Sequence, residues 1–146
     1  MSVQLNHTIV FCRDQQRSAA FLSEILGLPP ATRFGHFLVV EAGNAVSLDF
    51  AESRGEIVAQ HYAFLVGEDE FDAAFGRIRD RGLTYWADPG KSRPGAINHN
   101  DGGRGLYFDD PTVTGWRSSP ARTAAAARSL TGESWQFSAR RRSGIA

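Results

Sequence analysis

Two histidines are the first candidates for chemistry, because each lies in a short run typical of a β-strand. His7 lies in residues 3–11, whose other odd positions are all apolar: Val3, Leu5, Ile9 and Phe11. His61 begins the β-prone run HYAFLV. Alternation with a period of two is typical of a half-buried strand. His7 shares the apolar face, so we expect it to point toward the core. A lone histidine there is ordinarily a hydrogen-bonded core residue, and the alternative is a metal ligand.

The elements that follow His7 are predicted from capping and turn residues. Asp14 can cap a helix, and Gly27, followed by two prolines, can end it. The helix face that we expect to be buried carries Ser18, Phe21, Leu22 and Ile25. Two short strands, 37–42 and 45–51, then form a hairpin around Gly43 and Asn44.

The same pattern starts again at Gln60. A second helix carries Phe71, Ala74, Phe75 and Ile78 and ends at Gly82, and strands are predicted at 84–86 and 105–108. A fixed offset of 54 residues carries His7 onto His61 and Phe21 onto Phe75. A duplicated strand-helix-strand-strand unit is the simplest interpretation. An axis between the units would aim both imidazoles into one cavity, which favours a metal site. Two imidazoles and carboxylates around a divalent ion, with open positions, would let the ion act as a Lewis acid on a chelating substrate.

The composition favours one domain that acts on a small molecule. The chain has 146 residues, of which 16 are basic and 16 acidic, so no global field favours nucleic acid or a membrane surface. No stretch approaches the roughly 20 apolar residues of a membrane span. The single cysteine, Cys12, cannot form an internal disulfide, and the N-terminus lacks a signal-peptide pattern. We therefore expect a cytoplasmic protein.

Several stretches resemble the glyoxalase, bleomycin-resistance and extradiol-dioxygenase superfamily: LNHTIVFCRD, SAAFLSEILGLP, NAVSLDFAE, QHYAFLVGEDEFD and GRGLYFDDP. The resemblance covers about residues 3–111 and implies an α+β fold of paired βαβββ modules, at about 3–51 and 60–111. It implies that His7 and His61 are metal ligands. Asp49 is the nearest match to a first-module carboxylate ligand, and a solvated strand residue is its alternative interpretation. It also implies a divalent metal ion (Fe²⁺, Mn²⁺, Ni²⁺ or Zn²⁺), a small-molecule substrate and a homodimer whose sites combine two chains.

The segment from Thr112 to the C-terminus departs from this resemblance. It holds six arginines and one acid, Glu133, and the family's closing strand, which reads like DPDGxxLEI, does not follow Pro111. With suitable synonymous codons and one restored base, residues 112–122 translate as Asp-Gly-His-Arg-Leu-Glu-Ile-Ile-Thr-Arg-Pro. We therefore interpret residues 112–146 as a frame-shifted tail, the alternative being a genuine tail. Arg117 then replaces the last ligand, and we predict a disrupted last strand and an impaired metal site that could lose its ion. Thr112, Val113 and Trp116 could still pair as a poor strand, and residues 121–130 could form a loose helix.

Four further residues are weaker candidates for the site. His99 and Arg104 lie in or beside a Gly- and Asn-rich segment that is first of all a turn, and their functional interpretation is as proton donor and anion contact. Trp86 and Tyr107 could line a substrate pocket, although strand aromatics are commonly core residues. The arginines at 140–142 resemble a nucleic-acid patch but are expected to be solvated.

Two functions from different classes follow. The first is a metal-dependent lyase, dioxygenase or transferase acting on a small oxygen-chelating substrate. The second is a metal-free protein that binds a small molecule, as in the bleomycin-resistance group. The two histidines favour the enzyme, whereas Arg117 favours the binding protein. Because the fold does not fix the reaction, the sequence leaves the substrate open.

Overall fold

The chain folds into two modules with the same order of elements. A computed structural model describes residues 3–110 and 134–140. The first module contains β1 (His7–Cys12), α1 (Gln15–Leu26), β2 (Thr32–Phe34), β3 (Phe37–Glu41) and β4 (Ser47–Glu52). The second contains β5 (His61–Val66), α2 (Glu68–Asp80), β6 (Tyr85–Trp86), a single 3₁₀ turn (Asn100–Gly102), β7 (Gly103–Asp109) and β8 (Ser134–Arg140). The predicted α+β architecture of paired βαβββ modules is confirmed.

Each module forms a four-stranded mixed sheet with one helix on one face. The strand orders are β1-β4-β3-β2 and β5-β8-β7-β6, so the first strand of each module lies at a sheet edge, parallel to the last strand. The other pairs are antiparallel. The two histidine-bearing strands therefore occupy equivalent places.

The predicted capping residues mark both ends of the first helix. The side chain of Asp14 accepts a hydrogen bond of 3.0 Å from the backbone N–H of Arg17, which satisfies one of the free donors at the helix start. Gly27 ends the helix at φ 68°, in the left-handed region that favours glycine. Acidic residues in the first turn of α2 and basic ones in its last turn oppose the helix dipole.

The last strand of the second module is present, so the predicted disruption of this strand is wrong. Ser134–Arg140 supplies β8, which lies between β5 and β7. Trp135, Phe137 and Ala139 are fully buried, and the alternation of these residues with polar ones explains why this segment suits a sheet with one covered face. The expectation failed because it placed the strand directly after Pro111. The predicted poor strand at 112–116, the loose helix at 121–130 and Arg117 lie outside the described residues.

One hydrophobic core joins the two modules. Helix α1 packs against α2, β3 and β4, while α2 packs against β8. Aromatic rings cross between the modules, with centroids 6.0 Å apart for Phe21 and Phe108 and 6.3 Å apart for Phe50 and Trp135. The predicted core stripe of α1, comprising Ser18, Phe21, Leu22 and Ile25, is buried as expected. The helix-covered faces of the sheets therefore form the interior, and their other faces remain open.

The buried face of β1 is the opposite of the predicted one. Val10 and Cys12 are fully buried, whereas Ile9 is 42% and Phe11 50% exposed. His7 shares the exposed face, so the expectation that it points into the core is wrong. The reason is that β1 is apolar on both faces, and helix α1 covers only one of them.

Among the described residues, no helix is both long and apolar enough to cross a bilayer.

Candidate functional site

The first candidate surface is the open face of the first module. His7 pairs in register with Ser47, and Ile9 pairs with Asp49, so the histidine and the carboxylate lie on adjacent strands of one face. His7 Nδ1 lies 2.7 Å from Asn6 Oδ1, and the Ser47 hydroxyl donates to Asp49 Oδ1 at 2.8 Å. The module therefore presents an exposed imidazole and a half-buried carboxylate on the same side.

The second candidate surface is the open face of the second module. His61 pairs in register with Ser134, and Ala63 pairs with Gln136. The Nε2 atom of His61 lies 3.1 Å from Gln136 Oε1, and the imidazole and Tyr107 rings have centroids 5.6 Å apart. His61, Gln136 and Tyr107 thus form a polar cluster that faces away from the core.

Gln136 is a site residue that sequence reasoning missed. Its register position relative to His61 matches that of Asp49 relative to His7. The available signal was the alternation in SWQFSAR, which places Gln136 between two apolar residues that must be buried. The interpretation of residues 112–146 as a frame-shifted tail leaves no place for this strand in the fold.

A groove of about 1320 Å³ lies where the β1 and β5 edges approach each other. Asn6 and Thr8 line it on one side, and His61, Ala63 and Leu65 line it on the other. His61 borders this groove, but His7 does not. No group of three or more histidine, cysteine or carboxylate side chains able to hold a metal occurs in residues 3–110 and 134–140. The donors suit a divalent ion in kind, because imidazole and carboxylate are its usual ligands, but the described part of one chain does not bring three of them together.

Trp86 and Tyr107 lie side by side on the open face that carries His61. They are register partners in β6 and β7, and both are half-buried. The Lys91 ammonium lies 4.7 Å from the centre of the Trp86 ring and 2.6 Å from Asp109 Oδ2. Burial, with a contribution from the negative charge of Asp88, raises the pKa of Tyr107, so its phenol is protonated at neutral pH. The pair could wall one side of a pocket, as predicted, and that role stays a prediction.

Arg104 lies on the other face of the sheet. Its guanidinium donates to Glu68 Oε2 at 2.9 and 2.6 Å and to Asp72 Oδ1 at 2.7 Å, and it stacks over the Phe71 ring at 4.4 Å. The hydrogen bond that Arg104 donates to Asp72 raises the pKa of Arg104 and lowers that of Asp72. These contacts tie β7 to α2 and turn the side chain away from His61, which is at odds with the predicted role as an anion contact at the site.

His99 is exposed, just before the 3₁₀ turn. The neighbouring Asn98 is buried and donates from its amide to the carbonyl of Ala87 at 2.8 Å. Backbone hydrogen bonds also join Asn98 and Gly105 in both directions. The segment is thus a tightly held turn, as its composition indicates, and a role for His99 as proton donor stays a prediction.

Comparisons with known proteins agree with this architecture. A family model described as the Glyoxalase/Bleomycin resistance protein/Dioxygenase superfamily matches residues 4–117. Glutathione transferase FosA of Serratia marcescens is 30% identical over 117 residues, which cover 76% of this chain and 76% of that protein. Oxidase ChaP-H1 is similar in structure, with a TM-score of 0.81 and 49% identity over 98% of this chain and 100% of that one. For oxidase ChaP-H2 the TM-score is 0.80 and the identity 52%, over 97% of this chain and 96% of that one.

Proposed function

From the premise that this chain belongs to the glyoxalase/bleomycin resistance/dioxygenase superfamily, we propose that it is a divalent-metal-dependent enzyme acting on a small, oxygen-chelating substrate. The observation that carries the proposal is the equivalent placement of His7 and His61, each on an open face at the start of the first strand of its module. Core histidines would lie on the helix-covered faces. Both histidines are exposed instead, where an imidazole can reach a ligand.

The names of the similar structures favour one reaction class. Of lyase, dioxygenase and transferase chemistry, the proposal leans toward an oxidative reaction, because two proteins called oxidases are about half identical over almost the whole chain. The similarity to a glutathione transferase is weaker in identity and covers less of the chain. We therefore infer oxidation of the substrate as the reaction class to test first.

The proposed site combines two copies of the chain. His7 and Asp49 lie on one open face, while His61 and Gln136 lie on the other, and among the described residues neither face alone holds three metal-binding groups of the usual types. The edges of β1 and β5 lack a strand partner within the described residues. Ile9, Phe11 and Leu65 expose apolar surface beside them, Leu65 at 69%. A second copy would cover these edges and bring the first open face of one chain against the second open face of its partner.

In this arrangement the residues of the chain have distinct roles. His7, Asp49 and His61 would hold the ion, which would act as a Lewis acid toward adjacent substrate oxygens. Trp86 and Tyr107 would pack against the substrate and exclude water from it. The Ser47 hydroxyl, donating to Asp49, would fix the direction in which that carboxylate points.

A second candidate is a metal-free protein that binds a small molecule. The favouring observation is that the imidazole of His61 lies 3.1 Å from the amide oxygen of Gln136, which is a neutral group. A site weakened in this way could keep the pocket and lose the ion. The tail with Arg117, from which an impaired site was predicted, lies outside the described residues, so this candidate rests on Gln136.

Metal content separates the two candidates. The purified chain would be loaded with Mn²⁺, Fe²⁺, Ni²⁺ or Zn²⁺, dialysed and analysed for metal, together with His7→Ala and His61→Ala. His36→Ala is the matched control, because His36 is exposed but lies in the turn between β2 and β3. The metal-dependent proposal expects bound metal in the wild type and control, and its loss in both other variants. Equal metal content in all four proteins would reject His7 and His61 as ligands.

A further inference from the structure

We infer that Lys91 binds a carboxylate group of the substrate, so that the substrate is an organic acid as well as a chelator. This contact rests on the proposed function, because it places the substrate on the open face of the second module. Lys91 is the only lysine of the chain, since the other basic residues that carry a permanent charge are all arginines. The metal ligands impose no such requirement for a negative charge.

Lys91 lies over the open face that carries His61. Its ammonium is 2.6 Å from Asp109 Oδ2 and 4.7 Å from the centre of the Trp86 ring. Asp109 pairs with Ser134, which pairs with His61, so these positions form one row across β7, β8 and β5. Neighbouring strands are about 4.8 Å apart, which puts the backbones of Asp109 and His61 roughly 10 Å from each other. A small molecule that contacts both Lys91 and His61 therefore carries its carboxylate at the end farther from the imidazole.

The loop that carries Lys91 is fastened at both ends. At its start, the Asp88 carboxylate accepts hydrogen bonds from the backbone N–H of Ser92 at 3.1 Å and from its hydroxyl at 2.9 Å. The backbone N–H of Lys91 donates to the carbonyl of Asp88 at 3.1 Å. At its end, the buried side chain of Asn98 donates to the carbonyl of Ala87 at 2.8 Å. A loop held in this way needs little ordering when a ligand binds, which lowers the entropic cost of binding.

The backbone of Lys91 is in the left-handed region, at φ 58°. Among the described residues, Ala45 is the only other non-glycine residue with a positive φ. A residue with a Cβ adopts this region at an energetic cost that glycine avoids. Glycine at position 91 would relieve the strain but would remove the ammonium. A lysine kept at such a position indicates a use for its side chain.

The ammonium retains the capacity to bind a ligand. A lysine side chain carries three N–H donors, of which Asp109 accepts one. The Trp86 ring attracts the positive charge through its face. The side chain of Lys91 is 35% exposed, so a ligand can reach the remaining donors. Because Asp109 already offsets part of the positive charge, this ammonium suits a singly charged carboxylate better than a doubly charged phosphate.

The test compares binding of 2-naphthoate with that of 2-naphthamide, a neutral molecule of nearly the same shape, to the metal-free chain in a calorimeter. We expect the wild type to bind the carboxylate about tenfold more tightly than the amide, as one hydrogen bond to a charged group allows. Lys91→Met should bring this ratio close to one, and Lys91→Arg should keep it within about threefold of the wild type. Arg93→Met is the matched control, because it removes a positive charge from an exposed position of the same loop and should leave the ratio unchanged.

A second readout uses the single lysine. Reductive methylation with isotopically labelled formaldehyde marks the Lys91 amine and the amino terminus, and Lys91→Arg identifies which NMR signal belongs to Lys91. Addition of 2-naphthoate should shift the Lys91 signal, whereas 2-naphthamide should not. Lys91→Met leaves the Asp109 carboxylate without this partner, so Lys91→Met combined with Asp109→Asn removes the pair as a neutral unit. This double variant should also lose the preference for the carboxylate.

The results separate this inference from the proposed function. Equal affinity of the wild type for both probes, binding of neither at millimolar concentration, or a preference that survives in Lys91→Met and in the double variant would overturn the inference. Metal bound through His7 and His61 would leave the proposed function standing in each of these cases. A carboxylate preference that depends on Lys91, in a chain that binds no metal, would support the inference and reject the metal-dependent enzyme.

Discussion

Replacing Trp135 by alanine tests whether the second sheet is closed by residues 134–140. Trp135 is fully buried, and its ring lies 5.2 Å from Tyr62, 6.1 Å from Phe64 and 6.3 Å from Phe50. Truncating a buried aromatic side chain to alanine costs about 3–5 kcal/mol, from lost burial and the cavity that remains. A chain of this size has a total stability of only about 5–15 kcal/mol, so the variant should lose a large part of it.

The assay is unfolding by urea and by heat, followed by far-UV circular dichroism. A loss of 3–5 kcal/mol corresponds to a fall in the midpoint of roughly 10–15 °C for a domain of this size. The matched variant is Trp116→Ala, because the sequence alone predicted the closing strand around Trp116. A loss below about 1 kcal/mol at Trp135, or a larger loss at Trp116, would refute the assignment of Ser134–Arg140 as the closing strand.

Three further predictions concern assembly, the Arg104 contacts and helix α1. Ile9→Lys and Leu65→Lys should each shift a homodimer to monomer in sedimentation, whereas Phe34→Ser, on the outer strand β2, should not. A wild type that is monomeric at tens of micromolar would contradict this prediction. Arg104→Met should lower stability at neutral pH and leave metal content unchanged. Because Arg104 lowers the pKa of Asp72, their contact stabilises the fold at neutral pH. This stabilisation is lost as the pH falls below about 5 and through the lowered pKa. A difference in unfolding free energy between wild type and Arg104→Met that stays constant from pH 7 to pH 3 would argue against it. Gly27→Ala should destabilise the fold by about 1 kcal/mol or more, since Gly27 has φ 68° and a Cβ there would lie 3.3 Å from Arg77 Nη1. An unchanged unfolding midpoint would show that the helix end adjusts freely.

Much of the fold could be predicted from local signals. The offset that relates His7 to His61 revealed the duplication, and Asp14 and Gly27 bound α1 as their capping chemistry requires. These signals succeed because caps and repeats depend on residues close together in sequence. The resemblance then supplied the pairing of strands, which no local pattern contains.

The failures have a common physical origin in contacts between distant residues. Alternation in β1 showed two faces but not which one α1 covers, because Val10 and Cys12 suit the interior as well as Ile9 and Phe11 do. The partners of Arg104, Glu68 and Asp72, are more than 30 residues away in sequence. Gln136 comes next to His61 only when β8 pairs with β5. Of the candidate site, the sequence therefore predicts only the two histidines and, less specifically, Asp49.

The position of β8 has a consequence for how the protein is made. β5 and β7 both pair with a strand that is synthesised after them, so neither has β8 beside it until residues 134–140 have been made. At about 5–20 residues per second, roughly 2–6 s separate the synthesis of Asp109 from that of Arg140. During that interval the nascent chain presents two unpaired strand edges and an uncovered aromatic interior, the features that promote aggregation. A slower ribosome between the codons for Asp109 and Arg140 would prolong this exposure, and the yield of folded protein should therefore depend on translation speed over these codons.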